Sequence, residues 1–293
     1  MSNKTAPVAI LLGCALTASG QPLLSEFEAA RATFSHAGEM DLEDGPGSLN
    51  ISRFDIRSVL SKPISPIEGL TVIPMFEYRL TDLDFDGIAP TYPIHDEELH
   101  SLSLSAMALY KTNDSPWIYG GWARAKMSSD FQDVDGDDFK FDLAAGAGYT
   151  FTDRFVLGFG AALVNINGDA GIYPGPFFNW DVSESVRLGL YGPVFIASYT
   201  PVPDWIFSLR ADSAGDSWNI SDDDGASRSV DLTSYRVGLY ANRRLTENLW
   251  LRAGAGITFG NEIELTRPNG RNLFAEDLDS GLFGQVSLRL MSW

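Results

Sequence analysis

The sequence predicts an all-β protein that folds as a single antiparallel barrel of about 14 strands, with 12 strands as the alternative. Three observations carry this prediction. Apolar and polar residues alternate with a period of two from residue 29 onward, short and long connections alternate along the chain, and one row of each strand is free of charge. Period-two alternation is typical of strands whose two faces meet different environments.

Composition excludes two classes of protein. The 293 residues include 21 Lys and Arg and 39 Asp and Glu, which gives a net charge of −18. That charge argues against nucleic-acid binding, which needs an excess of cations to offset phosphates. The hydrophobic fraction of 44% is too high for a disordered acidic chain. The chain is therefore expected to fold and to bury its apolar residues or cover them with lipid.

The first 20 residues have the layout of a cleaved secretory signal peptide. Lys4 precedes an apolar run over 8–17, and small residues lie just before Gln21. The run is too short to cross a bilayer as a helix. We therefore predict a signal peptide over 1–20 and a barrel domain over 21–293. Two alternatives stay open: lipidation at Cys14, which follows a short lipoprotein-like box, and a buried N-terminal helix of a soluble protein.

Loss of the signal peptide would remove Cys14, the single cysteine of the chain. A mature chain without cysteine forms no disulfide bond and offers no thiolate ligand to a metal.

Long hairpins supply the clearest strand signal. The segments FDLAAGAGYTFTDRFVLGFGAAL (141–163) and YRVGLYANRRLTENLWLRAGAGITF (235–259) each contain two alternating runs around a short turn. The same pattern predicts strands over 27–36, 50–60, 70–80, 99–110, 117–127, 139–151, 154–164, 172–182, 186–191, 194–199, 205–213, 229–243, 248–260 and 281–292. Dividing 186–199 at Gly192-Pro193 keeps short and long connections in alternation and yields 14 strands. Because the two divided strands are short, 12 strands stays the alternative.

The two connection types predict two different rims. Short turns on one side and longer connections on the other are typical of barrels in the bacterial outer membrane. The six longer connections hold 25 acidic residues and three cations. The sequence therefore predicts a transmembrane barrel with short periplasmic turns and acidic outer loops that contact cations.

The charge-free rows, such as the one from Leu102 to Tyr110, are expected to face lipid, and the opposite rows are expected to face the lumen. The lumen rows are rich in cations, including Arg31. The candidate lumen residues are Arg53, Arg57, Arg79, Arg124, Lys126, Lys140, Arg187, Arg210, Arg236, Arg252 and Arg289.

With these features the chain resembles bacterial outer-membrane β-barrels of families whose function is unknown. The resemblance rests on the signal peptide, the two hairpins and the C-terminal segment GLFGQVSLRLMSW, and covers the predicted mature chain. It implies residence in the outer membrane, contact with outer-membrane lipid and lipopolysaccharide, and insertion by the barrel-assembly machinery. That machinery would recognise the C-terminal strand, which ends on Trp293.

The inward cations allow two functions. Rows of Arg around water form an anion-preferring path, which predicts a passive pore or solute-binding channel for small anionic solutes. Alternatively the cations pair with Asp55, Glu77, Asp142 and Asp212 and fill the lumen of a structural envelope barrel. The other hypotheses are a barrel enzyme that acts on lipid or peptide at the outer rim, and a soluble secreted β protein.

No residue pattern identifies a catalytic or metal site. Asp82, Asp84 and Asp86 resemble the start of a calcium loop, but Pro93 stands where that loop needs a bidentate Glu. They are weak calcium candidates. His36, His95 and His100 are predicted near strand ends or in loops, without the spacing of a nucleophile, base and orienting group. We therefore predict no enzyme activity, and because phosphate-binding motifs are missing, no cofactor.

Overall fold

The computed structural model describes residues 28–88, 92–132, 134, 136–166, 169–221, 227–267 and 269–291. The predicted signal peptide, Cys14 and Trp293 lie outside these residues. Within them the strands are β1 Glu28–Asp41, β2 Ser48–Val59, β3 Leu70–Asp86, β4 Glu97–Lys111, β5 Trp117–Ser129, β6 Phe139–Thr152, β7 Phe155–Ile166, β8 Asp169–Asp181, β9 Val186–Tyr191, β10 Val194–Val202, β11 Trp205–Ser213, β12 Asp216–Ser221, β13 Ser227–Arg244, β14 Leu249–Thr266, β15 Asn272–Leu278 and β16 Leu282–Met291.

Fourteen of these strands form a closed barrel. Strands β1 to β11 pair in sequence order, β11 pairs with β13, β13 with β14, β14 with β16, and β16 returns to β1. All of these pairs are antiparallel, and the closing pair sets Phe34 opposite Val286. The chain turns between β9 and β10 at Gly192, whose φ of 62° favours glycine. The predicted 14-strand barrel is confirmed, and the 12-strand alternative is wrong.

The remaining strands, β12 and β15, lie at the end of the barrel opposite the short turns. β12 pairs with the first residues of β13, where Trp218 faces Val230. β15 pairs with the last residues of β14, where Phe274 faces Leu265. The only helical segment in the described part of the chain is a 3-10 turn at Gly136–Asp138. No helix among those residues is long and apolar enough to cross a membrane.

Several segments predicted as long loops are strands. β3 continues to Asp86 because its pairing with β2 continues, with Asp82 opposite Ser52 and Phe85 opposite Leu49. The acids on one face of this extension alternate with buried Leu83 and Phe85 on the other. The sequence prediction ended this strand too early because the segment is acidic, although the period of two continues through it.

An apolar cluster fills the interior at this extended end. A β-bulge in β1 sets Glu39 at a φ of 55° and turns Met40 inward, where it is 1% exposed. We call this group the outer apolar cluster; it comprises Met40, Leu42, Leu49, Ile51, Leu83, Phe85, Ile94, Leu99, Trp218, Ile220, Val230, Leu232, Ile263, Leu265, Phe274 and Leu278. It holds β12 inside the outline of the barrel, because Trp218 is fully buried.

On the side of the barrel formed by β5 to β10, the Phe177 ring packs against the inner face of the wall. A β-carbon placed on Gly158 would overlap the Phe177 ring and the carbonyl oxygen of Ala147. We expect Gly158→Ala to destabilise the barrel by about 1–3 kcal/mol, the usual cost of overpacking. The measurement is the temperature at which the folded band is lost on unheated gels. Gly284→Ala, with nothing within 4 Å of its added carbon, is the control, and equal loss in both variants would contradict the packing argument.

Candidate functional site in the barrel interior

The eleven candidate lumen cations lie on the strand faces opposite the exposed apolar rows. None of the eleven is exposed: Arg53 and Lys126 are buried, and the other nine are half-buried. Their placement follows from the strand period, since a residue two positions from an interior residue also faces the interior. We call these eleven residues the lumen cations.

Arg79 on β3 is the centre of the largest ion-pair group. Its Nε donates to Oδ1 of Asp55 on β2 at 2.5 Å, and its Nη2 donates to Oε1 of Glu77 at 3.2 Å. Its Nη1 donates to Oδ2 of Asp216 at 2.9 Å. Charge-assisted hydrogen bonds of this kind are stronger than neutral ones. Two of these acids were expected to oppose the lumen cations, whereas Asp216 was assigned to an outer loop.

Asp216 is the first residue of β12, and it joins two sides of the barrel. Its Oδ1 also accepts from Nζ of Lys126 on β5. Lys140 on β6 donates to Oγ of the next residue, Ser217, at 2.6 Å. At the other end of β12, Asn219 forms a parallel bridge with Ser129 of β5. A strand from a predicted outer loop therefore lies inside the barrel.

A sequence signal for β12 existed. Trp218 and Ile220 alternate with polar residues inside an otherwise acidic connection. Two large apolar residues at that spacing indicate a strand with one buried face. The sequence prediction missed it because the segment is only six residues long.

Most other lumen cations also pair with carboxylates. Asp212 accepts from Nε of Arg236 at 2.9 Å and from Nε of Arg210 at 3.0 Å. Ion pairs also join Arg124 to Asp142, Arg187 to Asp181 and Arg289 to Glu28. Glu28 also lies 3.4 Å from Nη1 of Arg31. Glu28 and Asp181 were missed because each lies at a strand end, where the inward row is hard to assign.

Arg53 and Arg252 form no ion pair with a carboxylate of the described residues. Arg252 donates from Nε to Oδ1 of Asn242 at 2.7 Å and lies over the Tyr240 ring. Arg53 donates from Nη1 to the backbone oxygen of Ala214, while its Nε and Nη2 have no partner. Asp55 and Asp216 still interact electrostatically with Arg53, and Glu28 with Arg252, from beyond ion-pair distance.

Two interior cavities adjoin this network. One has a volume of about 20 Å³, room for about one water molecule, and is lined by Arg57, Glu77 and Arg124 together with serines of β4 and the Trp122 ring. The other, also of about 20 Å³, lies between β1, β2, β13, β14 and β16 and is lined by residues that include Arg53 and Arg236. Both are small compartments between side chains rather than one wide passage.

The calcium candidates Asp82, Asp84 and Asp86 lie on one exposed face of β3. Side chains two residues apart along a strand stand about 7 Å apart. No three His, Cys, Asp or Glu residues among those described form a metal-binding group.

Glu97 lies at the same rim, beyond the apolar row of β4, and burial together with the carboxylates of Asp130 and Asp96 raises its pKa to about 7.

The three histidines occupy different environments at this rim. His36 is exposed on β1, with Nδ1 3.0 Å from Oγ of Ser52. His95 is exposed between β3 and β4. His100 is half-buried on β4, 2.9 Å from the Tyr78 hydroxyl and stacked on Phe131. His95 thus lies in a connection, whereas His36 and His100 lie on strands near this rim.

Residues 72–290 match the family described as Domain of unknown function (DUF6268). The chain belongs to this family. No curated protein matches this DUF6268 chain. Among solved structures, it is similar to an outer membrane channel from Pseudomonas putida F1, with 13% identity, a TM-score of 0.44, and coverage of 92% of this chain and 99% of that one. It is also similar to a Pseudomonas aeruginosa FadL homologue, with 11% identity, a TM-score of 0.47, and coverage of 97% and 100%.

Proposed function

We propose that the barrel spans the bacterial outer membrane, with the short turns in the periplasm. Its outward rows expose large apolar side chains in mid-strand, including Phe141 at 65% and Leu239 at 69%. A soluble protein rarely exposes a continuous apolar surface of this extent, whereas lipid covers it without cost. Lipid and lipopolysaccharide would then surround the chain.

A row of aromatic rings supports this orientation. Trp117, Tyr149, Phe151, Phe155 and Trp180 form successive ring contacts along the short-turn rim, with centroids 4.9–6.1 Å apart. Outer-membrane barrels place such aromatic girdles at the membrane–water interface.

The proposed activity is passage of small anionic solutes through a channel that rests closed. The observation that carries it is the position of β12, which Asp216 ties to Arg79 on β3 and Lys126 on β5. Because ion pairs hold β12 in the lumen at one end, we propose that this strand can move out of the lumen. Its departure would expose a lumen lined with cations, which attracts anions.

A purely structural barrel is the second candidate. The outer apolar cluster favours it, because it groups Trp218 and Ile220 of β12 with buried apolar residues of β1, β2, β3, β4, β13, β14 and β15. Under this alternative β12 stays in place and nothing passes.

We propose no enzymatic role. The contact between His36 and Ser52 would need a third group to orient the imidazole. Among the described residues, no carboxylate lies within ion-pair distance of His36.

Conductance in planar bilayers tests the channel. The unmodified chain is expected to show little current. Excising 216–226, so that Gly215 joins Ser227, removes β12 and should produce stable channels that prefer chloride over potassium. Shortening the connection 267–271 between β14 and β15 is the control and should leave the current low. If the β12 excision folds but stays closed, the structural barrel is the better account; cation preference would contradict the anionic solute.

A further inference from the structure

We propose that Asp130 holds the outer end of β12 in the lumen, and that ionisation of Glu97 beside it weakens this hold, so that β12 leaves more readily as the pH rises. This inference names a regulation of the channel proposed above and rests on that proposal for its effect on transport. The hold itself is argued from hydrogen bonds and strand pairing.

β12 is tied to the barrel at both ends, and Asp216 accounts for the inner end alone. At the outer end, Oδ2 of Asp130 accepts from the backbone N of Ser221 at 2.8 Å. The backbone N of Asp130 donates to the carbonyl oxygen of Asn219 at 3.3 Å. A hydrogen bond to a charged group is stronger than one between neutral groups. The two bonds therefore tie β12 to the segment after β5, in addition to its pairing with β13.

The carboxylate of Asp130 is oriented by its own turn. Its Oδ1 accepts from the backbone N of Gln132 at 3.1 Å and from Oγ of Ser129 at 3.3 Å, so that Oδ2 serves Ser221. Ser129 also forms the bridge with Asn219. Asp130 is therefore a positioning residue for the outer end of β12, as Asp216 is for the inner end.

Strand pairing sets Glu97 beside this turn. In the pairing of β4 with β5, His100 lies opposite Ser129, and the His100 ring stacks on Phe131 with centroids 4.7 Å apart. The segment after β5 thus runs alongside the first residues of β4. Glu97 lies two residues before buried Leu99, on the same inward face of β4.

Two acids and one cation interact electrostatically with Glu97. They are Asp96 and Asp130 in the flanking connections and Arg228 at the start of β13. On β3 the residue opposite Glu97 is Leu83, which carries no charge. Among the described residues, an ionised Glu97 therefore adds negative charge where acids already outnumber cations.

The direction of the effect follows from which state of the barrel binds the proton more tightly. Burial together with the carboxylates of Asp130 and Asp96 raises the pKa of Glu97 to about 7 with β12 in place. A Glu side chain that regains water ionises at its ordinary value, near 4.5. The proton therefore favours the closed barrel. That preference is complete below the ordinary value and is lost as the pH rises through about 7.

Conductance of Asp216→Asn at pH 5 and pH 8 tests the hold, because this variant lacks the ion pairs at the inner end of β12. We expect at least about tenfold more current at pH 8 than at pH 5, and less than a twofold change once Glu97→Gln is added. Glu98→Gln removes an exposed acid one residue away; it is the control and should keep the pH dependence. Asp130→Ala removes the acceptor for Ser221 and should raise the current at pH 5.

Other groups at this rim are ionisable too. His95 lies in the connection before β4, and acids at 222–224 follow β12 in the sequence. Because Glu97→Gln leaves all of them in place, pH dependence that survives this substitution would overturn the role of Glu97. Current of Asp216→Asn that is the same at both pH values would overturn it as well.

A distance measurement separates this proposal from the channel. Spin labels on Ser221→Cys of β12 and Leu104→Cys on the exposed face of β4, with Cys14→Ser, report the position of β12 by pulsed EPR whether or not ions pass. We expect a second distance to gain population between pH 5 and pH 8, and Glu97→Gln to abolish the change.

The labelled chain keeps Asp216, so this measurement decides even if Asp216→Asn fails to fold. A pH-dependent distance without current would defeat the channel and keep the hold. Current after excision of β12, with a distance that does not depend on pH, would do the reverse.

Discussion

An Asp216→Asn variant is expected to conduct ions in planar bilayers where the unmodified chain stays closed. The substitution removes the charge that Lys126 and Arg79 share. Arg79 retains Asp55 and Glu77, but Lys126 has no other carboxylate partner among the described residues. Removing one member of a buried ion pair costs about 3–5 kcal/mol. Water entering beside Lys126 relieves that cost, and we expect it to enter as β12 moves away.

A disulfide provides the matched control for this variant. Asn219 and Ser129 are paired across β12 and β5, and paired strand positions fall in the range that a disulfide spans. Adding Asn219→Cys and Ser129→Cys to Asp216→Asn should keep the barrel closed when oxidised and restore the current after reduction. An Asp216→Asn chain that folds and stays as closed as the unmodified chain would show that the ion pairs do not retain β12. If the current is as large with the disulfide oxidised as with it reduced, the ions follow a path that does not depend on the position of β12.

Leu239→Arg is expected to destabilise the barrel in lipid by about 2–4 kcal/mol, the cost of a cation at the mid-depth of the bilayer. Leu239 lies in the middle of β13, between Leu209 of β11 and Ala255 of β14, with its side chain 69% exposed. In water an exposed Leu tolerates Arg almost without effect. The measurement is the urea dependence of unfolding after the chain has folded into lipid vesicles.

Leu245→Arg is the control for the lipid contact. Leu245 is 48% exposed in the short turn between β13 and β14, where Arg should shift the unfolding midpoint little. Should Leu239→Arg prove as harmless as Leu245→Arg, the outward rows would face water, and the hypothesis of a soluble secreted β protein would be favoured.

The strands could be predicted closely because their signal is local. β9 over Val186–Tyr191 and β11 over Trp205–Ser213 have the predicted bounds. The division at Gly192-Pro193 follows from the alternation of connections, and Gly192 supplies the turn. The prediction that the lumen cations face the interior follows from the same period of two.

The bulges could not be predicted from that period. At Glu39, and again at Gly260 with a φ of 57°, one extra residue moves the following side chains to the opposite face. Met40 and Asn261 are buried for this reason. An alternation read straight through these positions assigns the outer ends of β1 and β14 to the wrong face.

The sequence by itself determined the barrel, a preference for 14 strands over 12, and the inward rows as far as the bulges, because the rows depend on residues two apart along one strand. Only the tertiary structure decided which cations are neutralised. Asp216 lies 90 residues from Lys126 and 137 residues from Arg79 along the chain. No periodicity links positions so far apart. They meet because β12 folds into the lumen, where the outer apolar cluster that buries Trp218 draws its residues from strands far apart in the sequence. The same fold leaves Arg53 near Asp55 and Asp216 without an ion pair to either.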